Sequence, residues 1–338
     1  MKKLLFIINP KAGRTAIKND LFEIIMTFSQ AGYEVVTYPT TGPDDAERKI
    51  CADGFNYDLI VCAGGDGTLE NTVCGYMNMG EKKVPLGYIP VGTTNDFARS
   101  LQISRKPLEA AQQIVSGRPV SFDVGKFDDK YFVYIAAFGI FTDISYSTNQ
   151  SLKKVMGHSA YVVEAVKKVM DYRPFELEAD FDGSVVTGKY IYGMITNSFS
   201  VAGFKIRGSK HVVLDDGKFD CLFVKMPQNV GELQQILSAI LKNEIDDESE
   251  LFFKIKASKI KIKSSTPIPW TLDGEFGGER SDVNIINDKQ AVEIYLASQF
   301  DEGSLGEDTS ESAATVADGF LSLIYESHID DDYKDGWD

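Results

Sequence analysis

The sequence predicts an α/β domain on a mostly parallel sheet, followed by a β-rich, sandwich-like domain. Three observations carry this. Through about residue 120, short continuous apolar runs alternate with segments of helical periodicity, the pattern of two-sided strands covered by helices. Beyond that point most segments alternate polar and apolar residues with period two, as half-buried antiparallel strands do. Three glycine-bearing turns, moreover, each follow an apolar run of the first half, and parallel sheets bind ligands outside the carboxyl ends of their strands. The predicted boundaries are 1–122 and 123–300, with a tail over 301–338 and a last strand free to return to the first domain.

In the first half, KLLFII (3–8) is a continuous apolar strand, and a helix follows with Leu21, Phe22, Ile24, Ile25 and Phe28 on one face. EVVTY (34–38) is the next strand, then a polar helix, then DLIVCA (58–63). A helix from Thr68, a strand at PLGYIP (85–90) and helices over 95–101 and 107–116 complete the alternation. The opening MKKLLFIINPKAG breaks at Asn9-Pro10 with no small-residue cleavage site, so it reads as a buried strand, not a signal peptide.

In the second half, SFDVGKF, KYFVYIAAFG, FELEADFDG, YIYGMITNS, FDCLFVKM, LFFKIKASKIKIKS and AVEIYL read as strands. Helical patterns interrupt them only over 152–171 and 229–245. The tail holds 12 acidic residues against one base, Lys334, and so supplies −11 of the net charge of −15. The rest is nearly neutral, and the tail reads as a solvated linker with one short amphipathic helix. No apolar run approaches the roughly 20 residues that span a bilayer. Four cysteines without metal-ligand spacing, and only three histidines, argue against a zinc site and for reduced thiols in the cytoplasm.

The glycine-bearing turns are Asn9-Pro10-Lys11-Ala12-Gly13, Gly64-Gly65-Asp66-Gly67-Thr68 and Gly92-Thr93-Thr94-Asn95-Asp96. Strands sharing one sheet gather these loops on one edge. Glycines let the backbone approach a polyphosphate, exposed N–H groups form an anion-binding nest, and the helix at Thr68 adds its positive end. Asp66 among phosphates calls for Mg²⁺ as a bridge. The Walker pattern GxxxxGK[ST] is absent, and the dinucleotide fingerprint fails because Glu70 stands where a small residue is required. A lone GGDGT is equally a tight turn with Thr68 as helix cap. Three such loops after three strands favour the phosphate site.

These residues resemble a family. Gly64-Gly65-Asp66-Gly67-Thr68-Leu69, the run Pro90-Val91-Gly92-Thr93-Thr94-Asn95-Asp96-Phe97-Ala98-Arg99, the opening Asn9-Pro10-x-Ala12-Gly13 and the late Leu272-Asp273-Gly274-Glu275 are similar to the diacylglycerol kinase catalytic-domain family. The resemblance spans roughly residues 1–300. It implies a nucleotide-binding α/β domain, a β-rich domain and an active site in the cleft between them. ATP would contact Asn9, Pro10, Lys11, Ala12, Gly13, Thr40, the run from Gly64 through Gly65, Asp66, Gly67, Thr68, Leu69, Glu70 and Asn71, and Thr93. One departure stands out: the family continues GGDGT-x-N-E, whereas Glu70-Asn71 is transposed, which rotates each side chain by about 100° on a helix.

Phosphorylating an alcohol requires a base near the attacking hydroxyl. The resemblance assigns that role to Glu275, with Asp66 and Asp96 assisting; a solvated Asp-Gly turn and a helix cap are the plainer readings. It also implies a structural Mg²⁺ on Asp216 with main-chain oxygens of Val213 and Lys218, where a β-turn is the alternative. Lys254, Lys256, Lys259, Lys261 and Lys263 suit either anionic headgroups or protection of an edge strand. The expected activity is an ATP- and Mg²⁺-dependent lipid kinase, cytoplasmic and peripheral to the inner face of the membrane, acting on diacylglycerol. Another lipid acceptor in the same family, NAD kinase activity and a non-catalytic nucleotide or lipid sensor are the alternatives. Nucleic acid is not an expected partner, and a homodimer is compatible with the resemblance.

Overall fold

A computed structural model describes residues 1–12, 16–80, 84–93, 95–140, 172–197, 200–201, 204–205, 214–242, 245 and 249–298. Gly13, Val213, the helix expected over 152–171 and the acidic tail lie outside the described residues.

The continuous apolar runs become β1 (Lys2–Ile8), β2 (Tyr33–Pro39), β3 (Leu59–Gly64) and β4 (Leu86–Pro90), all parallel, in the order β2-β1-β3-β4. Leu4, Leu5, Phe6 and Ile7 of β1 and Ile60, Val61, Cys62 and Ala63 of β3 are wholly buried, as strands covered on both faces must be. The helices are α1 (Ala16–Gln30), α2 (Asp45–Asp53), α3 (Asp66–Asn78), α4 (Asp96–Ser100) and α5 (Pro107–Ser116). Two sequence expectations need correction. Phe22 of α1 is 69% exposed, because one residue beyond Leu21 is a rotation of about 100°, off the stripe that buries Ile24 and Phe28. Helix α3 begins two residues early, with Gly65 at its N-cap, so Thr68 does not cap it.

The second half comprises β5 (Arg118–Phe127), β6 (Lys130–Phe132), β7 (Ile135–Gly139), β8 (Phe175–Phe181), β9 (Ser184–Thr196), the short β10 (Ser200–Val201) and β11 (Phe204–Lys205), β12 (Phe219–Lys225), helix α6 (Val230–Lys242), β13 (Phe252–Ala257), β14 (Lys259–Leu272) and β15 (Glu275–Leu296). Its pairings are antiparallel, as period-two alternation predicts. Strands β7 and β8 share one slot between β9 and β14. Gly139 and Phe175 face Tyr192 and Tyr190 of β9, so the chain leaves the slot at one residue and re-enters beside it at the other. The expected sandwich is not a separate sheet, because β15 joins the halves. Its start pairs with β14, its end with β5, and Ile294 pairs in parallel with Leu86 of β4. A second core of aromatic residues lies in this half, where Trp270 packs edge-on against Phe127 and Phe138 with ring centroids 5.0 and 4.9 Å apart.

Lys259, Lys261 and Lys263 do share the exposed face of β14 while Ile260 and Ile262 are buried. Their cross-strand neighbours include Asp180, Glu178 and Asp282, so the face carries both signs. Strand β13, with Lys254 and Lys256, is the sheet edge, where lysines discourage further pairing.

Candidate active site

The four parallel strands deliver their following loops to one edge, where a cleft of about 660 Å³ opens. Of the residues expected there, Asn9, Lys11, Ala12, Thr40, Gly65, Gly67, Thr68, Glu70, Asn71 and Glu275 line it. The loops are tied together. Asn9 Nδ2 donates to Thr68 Oγ1 at 2.9 Å, and Asn9 Oδ1 accepts the Lys11 N–H at 3.0 Å. Gly65 and Gly92 press so closely that a methyl group on Gly92 would stand 2.5 Å from Gly65 Cα, which only glycine tolerates. Asn95, buried with φ 51°, clamps that turn: its Oδ1 accepts the Gly92 N–H at 3.0 Å and its Nδ2 donates to Gly92 O at 2.8 Å.

Other expected residues sit apart from the lining. Gly64 ends β3 and Leu69 is buried in the core. Pro10 is exposed in its turn, and Thr93 is exposed with its carbonyl accepting from Arg105 Nη2 at 3.4 Å. Asp66 and Asp96 are the first residues of α3 and α4. Asn95, not Asp96, occupies the N-cap of α4. The transposed pair causes no exclusion, since both Glu70 and Asn71 reach the cleft.

A wall that the sequence did not reveal comes from the turn after β2. Thr41, Gly42, Pro43, Asp44 and Ala46 join Thr40 along the cleft. Asp45 holds this turn: its carboxylate accepts from Tyr38 Oη at 2.9 Å, from the Thr41 N–H at 2.8 Å and from Thr41 Oγ1 at 3.0 Å. These bonds, the Thr41 N–H first, lower the Asp45 pKa.

Glu275 arrives from the second half on the β14–β15 hairpin. A methyl group on Gly67 would stand 3.9 Å from Glu275 Oε1, so the carboxylate lies over the glycine loop. The hairpin is anchored by Asp273, whose backbone adopts φ 48° and whose buried carboxylate accepts the N–H groups of Val133, Tyr134 and Ile135. Burial raises the Asp273 pKa to about 6, although the three N–H groups pull it down and nearby Asp66 pushes it up.

Acidic groups thus accumulate around the cleft. Burial, then the charges of Asp273 and Glu275, push Glu70 up to about 8, with Lys130 as the opposing cation. That crowding suits a hard divalent cation bound with a polyphosphate. Among the described residues no three His, Cys, Asp or Glu side chains form a ready-made metal cage. The folded chain holds the Glu70 proton to about pH 8, against an ordinary value of 4.5. The native state therefore binds more protons across that window, and stability from this group falls as pH rises through it. Glu70→Gln removes that loss. The Tm of the variant relative to the parent should climb from about pH 5 to about pH 8 in thermal melts; a constant difference would contradict the assignment.

At the second expected cation site, Asp216 Oδ1 accepts the Lys218 N–H at 2.8 Å, and Lys256 Nζ lies 3.8 Å from Asp216 and 3.2 Å from Asp220. Buried Asp123 fastens this turn to β5 and β15. It accepts the N–H groups of Gly217 at 2.6 Å and Gln290 at 2.7 Å. Burial first, with Asp216 adding to it, raises the pKa of both Asp123 and Asp220. Lys256 and, against Gly217, the stem of Lys289 lie beside this turn.

Comparison with known proteins places the chain in a family. The family model described as diacylglycerol kinase catalytic domain matches residues 3–127. The chain is 35% identical over 280 residues to the diacylglycerol kinase of Bacillus subtilis (strain 168), covering 82% of this chain and 91% of that protein. It is 32% identical over 298 residues to the diacylglycerol kinase of Staphylococcus carnosus (strain TM300), covering 87% and 95%. The crystal structure of a diacylglycerol kinase from Bacillus anthracis str. Sterne shares the fold, with a TM-score of 0.68 over 89% of this chain and 98% of that one at 22% identity. The chain belongs to the diacylglycerol kinase family.

Proposed function

We propose that the protein is an ATP-dependent lipid kinase that transfers the γ-phosphate to a lipid hydroxyl, with diacylglycerol as acceptor and phosphatidate as product. The observation that carries this reading is the placement of Glu275, from the second half, over Gly67 in the glycine loop of the first. The loops at Asn9–Ala12, Gly65–Asn71 and Thr93, with Thr40, hold the nucleotide; Gly13 belongs with them by sequence. Glu275 takes the proton of the acceptor hydroxyl as its oxygen attacks the γ-phosphorus in line, and ADP leaves. Mg²⁺ bound with the nucleotide would neutralise charge on the transferred group, with Asp66 as its protein ligand. Asp96, at the start of α4, assists from the neighbouring loop. The enzyme works in the cytoplasm at the inner face of the membrane; no helix among the described residues is long and apolar enough to cross one. The test is an acceptor panel in mixed micelles: diacylglycerol, a sphingoid base, phosphatidylglycerol, a polyprenol and NAD. Diacylglycerol should be preferred, and preference for NAD would overturn the reading.

Asp216, with main-chain oxygens of Lys218 and Val213, would hold a separate structural Mg²⁺. Asp216→Ala should abolish the rise in Tm that Mg²⁺ gives the parent, which corresponds to about 2.7 kcal/mol at one hundred times Kd. An unchanged Mg²⁺-dependent shift in the variant would remove this site.

A further inference from the structure

The hairpin that carries Glu275 also presents a side chain for which the fold has no use. Phe276 is 68% exposed, in a strand whose Val283, Ile285, Val292, Ile294 and Leu296 are buried. Successive strand residues point to opposite faces, so with the Glu275 carboxylate over Gly67 the phenyl ring stands on the other face of the hairpin. The residues that follow it in the strand have no side chain to cover it. Gly277 and Gly278 follow, and a side chain at Gly277 would meet Leu272 Cγ at 2.8 Å. The register shift between Trp270 and Thr271 leaves Gly277 as the extra residue, with Phe276 opposite Thr271.

This exposure does not come from a loose loop. The tip is fixed by the three N–H groups on Asp273, by Tyr134 Oη donating to Asp273 O at 3.2 Å, and by Lys130 Nζ donating to Gly277 O at 3.2 Å. Scattered exposed apolar residues are ordinary. A phenyl ring borne by an anchored hairpin, one residue from a cleft-lining carboxylate that must meet a lipid hydroxyl, is a different case. Such a hydroxyl lies at headgroup level in a bilayer, so the cleft mouth has to rest on that surface. An apolar side chain buried about 5–10 Å into the boundary would hold it there.

We propose that Phe276 inserts into the lipid surface that supplies the acceptor, seating the cleft mouth there without taking part in phosphoryl transfer. This rests on the lipid-kinase reading. Phe276→Ala, Phe276→Trp and, as a control on an equally exposed ring of α1, Phe22→Ala should be compared in the full chain. The lipid surface is phosphatidylcholine–phosphatidylglycerol vesicles containing dioleoylglycerol. For F276A the apparent KM should rise and vesicle co-sedimentation fall by roughly tenfold or more, the loss expected when one phenyl group is no longer buried. Its kcat, its rate on dispersed dihexanoylglycerol and its Tm should match the parent, F276W should restore binding, and F22A should change nothing. Equal vesicle binding by F276A and the parent, an equal loss on dihexanoylglycerol, or an equal loss in F22A would each overturn the inference. Co-sedimentation needs no turnover. A parent that phosphorylates no lipid would therefore refute the kinase reading, whereas a parent active on lipid with an indifferent Phe276 would refute only this one.

Discussion

Replacing Glu275 with glutamine should lower kcat by roughly 100-fold or more, while the KM for ATP stays within about twofold of the parent. The substitution keeps the shape of the side chain and removes only its capacity to accept a proton. Glu275 is exposed, and among the described residues the side chain of Asp273 anchors its hairpin. Folding should therefore be unaffected, and the loss should fall on the chemical step. Steady-state kinetics with diacylglycerol in mixed micelles separates the two parameters. A variant with full activity would end the assignment of Glu275 as the general base.

Asp273→Ala should act by the opposite route, through the scaffold. Three buried N–H groups, of Val133, Tyr134 and Ile135, lose the carboxylate that accepts them, and the αL backbone at residue 273 loses its brace. Each orphaned buried donor costs about 1–3 kcal/mol, so a loss of at least about 3 kcal/mol is expected. In a chain of 338 residues, with an unfolding entropy of about 2.1 cal/mol/K per residue, that lowers Tm by roughly 4 °C. Activity should fall as well, because the hairpin no longer fixes Glu275 over Gly67. Asp273→Asn retains one carbonyl oxygen for Tyr134 and Ile135 but turns an amide donor toward the Val133 N–H, so its Tm should lie between the two. Thermal melts check the order, and an Ala variant as stable as the parent would show that the bracket contributes little.

These two residues also mark how far the sequence was legible. Separated by one residue in the chain, they were visible to different degrees. Glu275 stood out because it completes a motif whose chemistry has a known place in phosphoryl transfer. The partners of Asp273 lie about 140 positions away, so no local pattern could announce it. The parallel strands and their loops were legible because continuous apolar runs and glycine turns are short-range signals. The turn over residues 40–46 was not: Thr-Thr-Gly-Pro-Asp reads as an ordinary connection until Tyr38 and Asp45 are seen to brace it. The long β15 was visible only in its last six residues, because the polar stretch at 287–290 hides a strand that bulges between Asp288 and Val292. Likewise the carboxylates facing the lysines of β14 come from β8 and β15, and only pairing brings them there. The Glu70-Asn71 transposition looked disruptive from helical geometry alone. Both side chains nonetheless line the cleft, from the first turns of α3.

The measurement that bears most directly on the whole account is the fate of the γ-phosphate. Purified full-length protein is incubated with γ-labelled Mg-ATP and dioleoylglycerol micelles, and the organic phase is analysed by mass spectrometry and radioactivity. Label should appear in phosphatidate, dependent on both Mg²⁺ and Glu275. Label that remains in the aqueous phase, as inorganic phosphate or on an added nucleotide acceptor such as NAD, would contradict it.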